Sequence, residues 1–123
     1  MKTKSIYTFI AMVVMMSTLQ SVTAQQMNVQ EMAAYQTKTM TEQLGLSEAQ
    51  QGQVAPLNLH YSEKQAELMA SEGSMFSKIG DMKKIGKEKN AALEEILTKE
   101  QMEHYVDDVE PMIRKEMRKR MKT

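Results

Sequence analysis

Two short segments of similar sequence decide where helices begin in this chain: Leu46-Ser47-Glu48-Ala49-Gln50 and Leu97-Thr98-Lys99-Glu100-Gln101. Each has a leucine, a hydroxyl residue, two variable residues and a glutamine. This spacing is typical of a capping box, in which the hydroxyl accepts a hydrogen bond from the glutamine backbone amide and the glutamine side chain accepts one from the amide of the hydroxyl residue. We therefore predict that Ser47 and Thr98 are N-caps, each at the start of a helix.

The residues before the first segment predict another helix, and nothing in the chain alternates like a β-strand. Ala, Glu, Lys, Gln, Leu and Met dominate, and all are good helix formers. The first helix is predicted from Val29 to Leu44, with Asn28 as its N-cap and Glu31 as the capping-box partner. Gly45 follows as the C′ residue, where a left-handed conformation favours glycine.

Three more helices are predicted after Gly45. The second runs from Ser47 towards Glu72, with a bend expected at Pro56, and Gly73 weakens or ends it. The third runs from Met75 to Leu97. The fourth starts at Thr98, and a proline at position 111 should kink or restart it. Its apolar stripe is Met102, Val106, Val109, Ile113 and Met117.

The first 24 residues have the features of a secretory signal peptide. Lys2 and Lys4 give a positively charged start, and residues 6–16 are almost wholly apolar. That run is too short to cross a bilayer core, which needs about 20 residues. Val22 and Ala24 suit cleavage after Ala24. We therefore expect export to the periplasm, with residues 25–123 as one helical domain. An uncleaved N-terminal anchor is the alternative.

The composition excludes several kinds of site. The chain has no cysteine, which excludes disulfides, thiolate metal sites and a lipoprotein anchor. Without Lys2 and Lys4, the 16 basic residues fall to 14 against 16 acidic ones, so no overall charge favours nucleic acid or a membrane. The sequence has no glycine-rich phosphate loop, and no Ser, His and Asp residues at a spacing that indicates a catalytic triad. We predict neither an enzyme nor a cofactor.

The paired capping segments also suggest a family. Two leucine-led copies in a cysteine-free helical chain resemble the Spy/CpxP family of small periplasmic stress proteins, whose hallmark is a repeated Leu-Thr-x-x-Gln motif. The second segment matches the motif outright, and the first has Ser47 in place of threonine. The stretch VAPLNLHYSEKQAE, residues 54–67, resembles the helix that follows the first motif in such proteins. The resemblance covers most of residues 29–110.

The resemblance implies an elongated four-helix fold with a long helical hairpin, pairing into a cradle-shaped homodimer. It implies an ATP-independent chaperone that binds partly unfolded envelope proteins. Two alternatives stay open: a regulatory partner of an envelope-stress sensor, and a periplasmic protein that responds to Zn²⁺ or Cu²⁺. The motif residues are expected to cap helices and set the fold: Leu46, Ser47, Gln50, Leu97, Thr98 and Gln101.

One group of residues in the fourth helix could bind a metal ion: Glu100, His104 and Asp108. Their spacing of four puts them on one helical face, where they could offer a nitrogen and two oxygens to Zn²⁺ or a similar ion. His60 with Glu63 is a second such pair. A surface histidine among exposed acids is the simpler interpretation, and we expect that the protein needs no metal.

Methionine is abundant, with ten of the 14 after residue 24. Core or dimer-interface packing is the usual role of methionine at helical spacing. A copper site would need closely spaced methionines, which the chain after residue 24 lacks. Near residues 69–82 we instead predict an adaptable apolar surface with lysines beside it, which would bind unfolded client chains. Its residues are Met69, Met75, Phe76, Ile79, Met82 and Lys83.

Overall fold

The computed structural model describes residues 24–121, with side chains for residues 28–120. This part of the chain contains four helical stretches and no strand, which confirms the predicted all-α fold. The helices are α1 Ala24–Leu44, α2 Glu48–Ala70, α3 Met75–Ile96, and a fourth stretch made of α4 Lys99–His104, a π-helical segment Tyr105–Val109 and α5 Glu110–Met121. The predicted signal peptide, residues 1–24, lies outside the described residues apart from Ala24. No helix within residues 24–121 is long and apolar enough to cross a membrane.

The helices pack as neighbours in chain order. α1 packs along α2, α2 packs along α3, and the fourth stretch packs back onto α1. The turn after α1 and the turn after α3 come together at one end, which we call the junction (residues 44–50 and 96–101). The turn between α2 and α3 lies at the other end of α2. Since α2 has 23 residues, this arm tip (residues 69–79) is about 35 Å from the junction.

The hydrophobic core lies in the half of the molecule next to the junction. Its fully buried side chains come from all four stretches: Met40, Val54, Leu93 and Val109. Leu46, Leu97, Tyr105, Ile113 and Met117 extend it. No residue of α3 before Lys89 is buried, and none of α2 after Ser62. The outer half of the α2–α3 hairpin is therefore an arm that carries little core.

The start of α1 differs from the prediction. The helix begins at Ala24, so the predicted N-cap at Asn28 is wrong: Asn28 lies inside the helix and forms no capping box with Glu31. The three residues before Asn28 are compatible with a helix, and nothing there interrupts it. At the other end, Gly45 has φ +64°, the left-handed conformation predicted for it.

The helix α2 is not interrupted at Pro56. Pro56 cannot donate to the carbonyl of Gly52, but both residues are exposed, so water can hydrate that carbonyl. The helix ends at Ala70, slightly before Glu72, and the hydroxyl of its C-cap Ser71 donates to the carbonyl of Leu68 at 2.6 Å. Gly73 in the following turn has φ +135°, which residues with a side chain rarely adopt.

Pro111 reshapes the fourth stretch. Its ring crowds the carbonyl of Asp107, to which it cannot donate. The π-helical segment relieves this conflict with a wider turn, in which the amide of Glu110 bonds to the carbonyl of Tyr105, five residues earlier. The wider turn also changes the buried face, so that Tyr105 is 2% exposed and Val106 is 43% exposed. The predicted apolar stripe was therefore wrong at Val106, because its spacing assumed a regular α-helix.

Candidate functional site

Both capping boxes are present at the junction. The hydroxyl of Ser47 accepts from the amide of Gln50 at 3.1 Å, and Oε1 of Gln50 accepts from the amide of Ser47 at 3.0 Å. Thr98 and Gln101 make the same two bonds at 3.2 and 3.0 Å. The leucine before each N-cap is buried in the core: Leu46 and Leu97.

The two glutamines also bind each other. Nε2 of Gln50 donates to Oε1 of Gln101 at 2.7 Å, and Nε2 of Gln101 donates to Oε1 of Gln50 at 3.2 Å. Gln50 donates further to the carbonyl of Ile96 at the end of α3, and Gln101 to the carbonyl of Leu44 at the end of α1, each at 3.2 Å. Each side-chain amide thus uses its two donors and two acceptors.

This arrangement explains why the motif ends in glutamine. Glutamate also completes a capping box. Only glutamine can donate at the same time to a helix C-terminal carbonyl, a group that otherwise lacks a partner within its own helix. The motif residues therefore tie the ends of α1 and α3 to the starts of α2 and α4, and their chemistry is that of a structural joint.

A line of polar side chains, the polar seam (Gln36, Asn58, Ser62 and Lys89), is buried between α1, α2 and α3. Asn58 and Ser62 continue the buried face of α2 at helical spacing. Nζ of Lys89 donates to Oε1 of Gln36 at 2.7 Å, and Nε2 of Gln36 donates to the hydroxyl of Ser62 at 3.4 Å. None of these four residues was predicted to be buried.

The polar seam has unusual electrostatics. Burial lowers the pKa of Lys89 to about 8, and the nearby Glu110 carboxylate opposes this only in part. Asn58 donates to the hydroxyl of Thr37 at 3.0 Å. The side-chain oxygen of Asn58 is buried and has no hydrogen-bond partner among the described residues. Close by in the core, burial raises the pKa of Tyr105, and Glu110 adds to this rise.

The arm tip exposes a cluster of large apolar side chains. Phe76 is 90% exposed, and three neighbours are more than half exposed: Met69, Met75 and Ile79. Met82, two turns further along α3 from Met75, is half-buried. Four of the six side chains predicted as a client surface therefore lie at one end of the molecule, where α2 ends and α3 begins.

Lysines continue from the arm tip along α3. Lys83, Lys84 and Lys87 are exposed, and within residues 28–120 they form no ion pair. Lys83 and Lys87 follow Phe76 by seven and eleven residues, spacings that keep all three on one helical face. Lys78 differs, because its Nζ donates to a carbonyl in the last turn of α2 at 3.2 Å. The arm tip is thus apolar, and exposed lysines follow it along α3.

The metal-site candidates do not come together. Nδ1 of His104 and Oδ2 of Asp108 lie 2.8 Å apart as an exposed pair, which Glu100 does not join. His60 packs edge-on against the ring of Tyr61. Among the residues that the structure describes, no three His, Asp or Glu side chains are arranged to hold a metal ion.

The chain belongs to the family described as Domain of unknown function (DUF4890), whose model matches residues 19–105. The match includes α1, α2, α3 and α4, and with them both capping boxes and the arm tip. Neither a curated protein nor a solved structure matches the chain in the corresponding comparisons.

Proposed function

We propose that this member of the DUF4890 family is an exported, ATP-independent chaperone that holds partly unfolded envelope proteins at its arm tip. In this proposal the chain after Ala24 works in the periplasm as a homodimer, as the resemblance of its two capping segments to the Spy/CpxP motif implies. The motif residues hold the helices together, and the tip binds clients.

One observation carries the proposal: four large apolar side chains are exposed together at the arm tip. Single apolar side chains on a surface are common, whereas a cluster marks an interaction site. Full burial of one such side chain contributes about 1.5–3 kcal/mol. Folding of the monomer leaves much of this free energy unused at Met69, Met75, Phe76 and Ile79, so it remains available to a bound partner.

The side chains at the tip suit partners of many shapes. Methionine is unbranched and polarisable, so it adapts its conformation to an irregular apolar surface. The adjacent lysines, with Lys83 nearest the tip, add a long-range attraction for acidic chains that raises the rate of encounter. Weak adaptable contacts with rapid capture are what a chaperone without a nucleotide cycle requires, because the client must also dissociate unaided.

The proposal is tested by Met75→Ser combined with Phe76→Ser. We expect this variant to lose most suppression of aggregation of an unrelated client. Its melting temperature should hardly change, because both side chains are exposed in the monomer. The matched control is Val106→Ser, which removes an exposed apolar side chain from the fourth stretch and should leave suppression intact.

Two outcomes would reject the proposal. The first is full suppression of aggregation by the double variant. The second is melting far below the wild type, which would assign Met75 and Phe76 to a buried interface rather than to a client surface. Thermal melting and the aggregation assay on the same preparation distinguish these outcomes.

A further inference from the structure

The outward face of the fourth helical stretch has its charges divided between two halves. Glu103 and Asp107 lie before Pro111, and Lys115 and Lys119 lie after it. All four are exposed, and within residues 28–120 none of their side chains forms a hydrogen bond or an ion pair. The chaperone proposal makes no use of this face.

Two pairs of opposite charges in α5 are neutralised locally. Arg114 pairs with Glu110 at 3.0 Å, and Arg120 pairs with Glu116 at 3.5 Å, each one helical turn apart. These pairs account for both glutamates of α5. The acidic and basic halves of the outward face are therefore left without compensation within the described part of this protomer.

The helix dipole does not explain the division. The dipole favours acidic residues in the first turn of a helix and basic residues in the last turn, and its effect falls off within those turns. Asp107 and Lys115 lie in the interior of the stretch that runs from Lys99 to Met121. The charges closest to Pro111 thus need another reason.

The spacing of these charges about Pro111 explains the division. Asp107 and Lys115 are each four residues from Pro111, and Glu103 and Lys119 are each eight residues from it. In a twofold-symmetric pair of antiparallel helices, residues at equal distances on opposite sides of the axis face each other. A face that is acidic on one side of the axis and basic on the other is complementary to a second copy of itself.

We propose that this face binds the same face of a second copy of the chain, antiparallel, about a twofold axis beside Pro111. Asp107 then faces the partner's Lys115, and Glu103 faces the partner's Lys119. Met112, which is 44% exposed beside the axis, is covered by the partner. The inference rests on the homodimer of the proposed function and names its interface, which uses no residue of the arm tip.

We expect the association of the two copies to be weak and sensitive to salt. Exposed ion pairs each contribute little free energy and are screened by salt. A single pair of helices also lies at the low end of the area that specific complexes bury. The charges thus mainly set the orientation of the two copies.

The test uses two charge-reversed variants. The basic variant carries Glu103→Lys and Asp107→Lys, and the acidic variant carries Lys115→Glu and Lys119→Glu. Either one alone places like charges against each other in the antiparallel pair, whereas a mixture of the two restores opposite charges at every position. Circular dichroism establishes that both are folded, as expected for exposed residues without partners.

Sedimentation velocity at low and high salt gives the result. We expect the wild type to dimerise at low salt and dissociate at high salt. Each variant alone should be monomeric, and an equimolar mixture should dimerise. The control is Glu63→Lys with Glu67→Lys, which adds the same charge at the same spacing on α2 and should dimerise like the wild type. A monomeric wild type would overturn both the inference and the homodimer of the proposed function, whereas an unchanged single variant or a monomeric mixture would overturn the inference alone. None of these outcomes bears on client binding, which the aggregation assay measures.

Discussion

Gln101→Glu tests how the two capping segments are joined. The substitution keeps the capping box, because a carboxylate oxygen still accepts from the amide of Thr98. It removes both hydrogen bonds that the side chain donates, to the carbonyl of Leu44 and to Oε1 of Gln50, each at 3.2 Å. It also brings a negatively charged oxygen towards two groups that can only accept.

The expected loss of stability is large for a substitution that only replaces a side-chain NH2 group with an oxygen. Two hydrogen bonds contribute about 1 kcal/mol each, and leaving a partly buried carbonyl unpaired adds a desolvation penalty of about 1–3 kcal/mol. Gln101→Glu should therefore lower the free energy of unfolding by about 3–5 kcal/mol at pH 7. Gln53→Glu is the matched control, because Gln53 is exposed on α2 and its replacement should change stability by no more than about 0.5 kcal/mol.

Urea unfolding followed by circular dichroism measures both variants. The slope against urea should stay constant, so that the midpoint reports stability alone. The destabilisation should shrink as the pH falls towards 4, since a protonated carboxyl regains one donor. If Gln101→Glu were as stable as Gln53→Glu at pH 7, the paired glutamines would not hold the junction together.

Other residues give predictions of the same kind. Ser47→Ala and Thr98→Ala should each lower the free energy of unfolding by about 0.5–2 kcal/mol, because each removes a side-chain acceptor from a helix N-terminus; loss of client binding at full stability in either variant would argue against a purely structural motif. The pKa of Lys89 is about 8 in the folded chain, against its ordinary value of 10.5 in the unfolded chain. The penalty for burying its charge is therefore complete below pH 8 and disappears as the pH rises to 10.5. Denaturant unfolding across this window should show the wild type gaining, relative to Lys89→Met, on the order of 3 kcal/mol; a constant difference would contradict the burial of a charged lysine. EDTA treatment and His104→Ala should both leave melting and aggregation suppression unchanged, and a stoichiometric micromolar Zn²⁺ site abolished by His104→Ala would favour the metal-binding alternative.

The helix starts at Ser47 and Thr98 could be predicted because a capping box is local in sequence. The contact between Gln50 and Gln101 could not, because it joins residues 51 positions apart. Pro111 predicts a distortion of the fourth helix but does not indicate that the distortion is a π-helical turn. The π-helical turn, with Tyr105 buried and Val106 exposed, does not follow from the spacing of the apolar residues.

The polar seam shows a second limit of sequence patterns. Asn58 and Ser62 follow Val54 at spacings of four and eight, which places them on the buried face of α2, but polar side chains at these positions do not form an apolar pattern. Lys89 and Gln36 look like ordinary solvated helix residues, and only the fold brings their side chains within hydrogen-bond distance. The arm-tip residues could be named from sequence. Their exposure depends on where α2 ends, which a pattern places only to within a few residues.

The central claim, that the arm tip binds clients, is tested most directly by a photoreactive amino acid at position 76. A matched probe at position 91 replaces Ala91, which is exposed further along the same helix. Both proteins are illuminated with a chemically unfolded client under conditions where aggregation is suppressed. We predict abundant crosslinks to the client from position 76 and few from position 91. Equal crosslinking at both positions, or none from position 76, would contradict the claim.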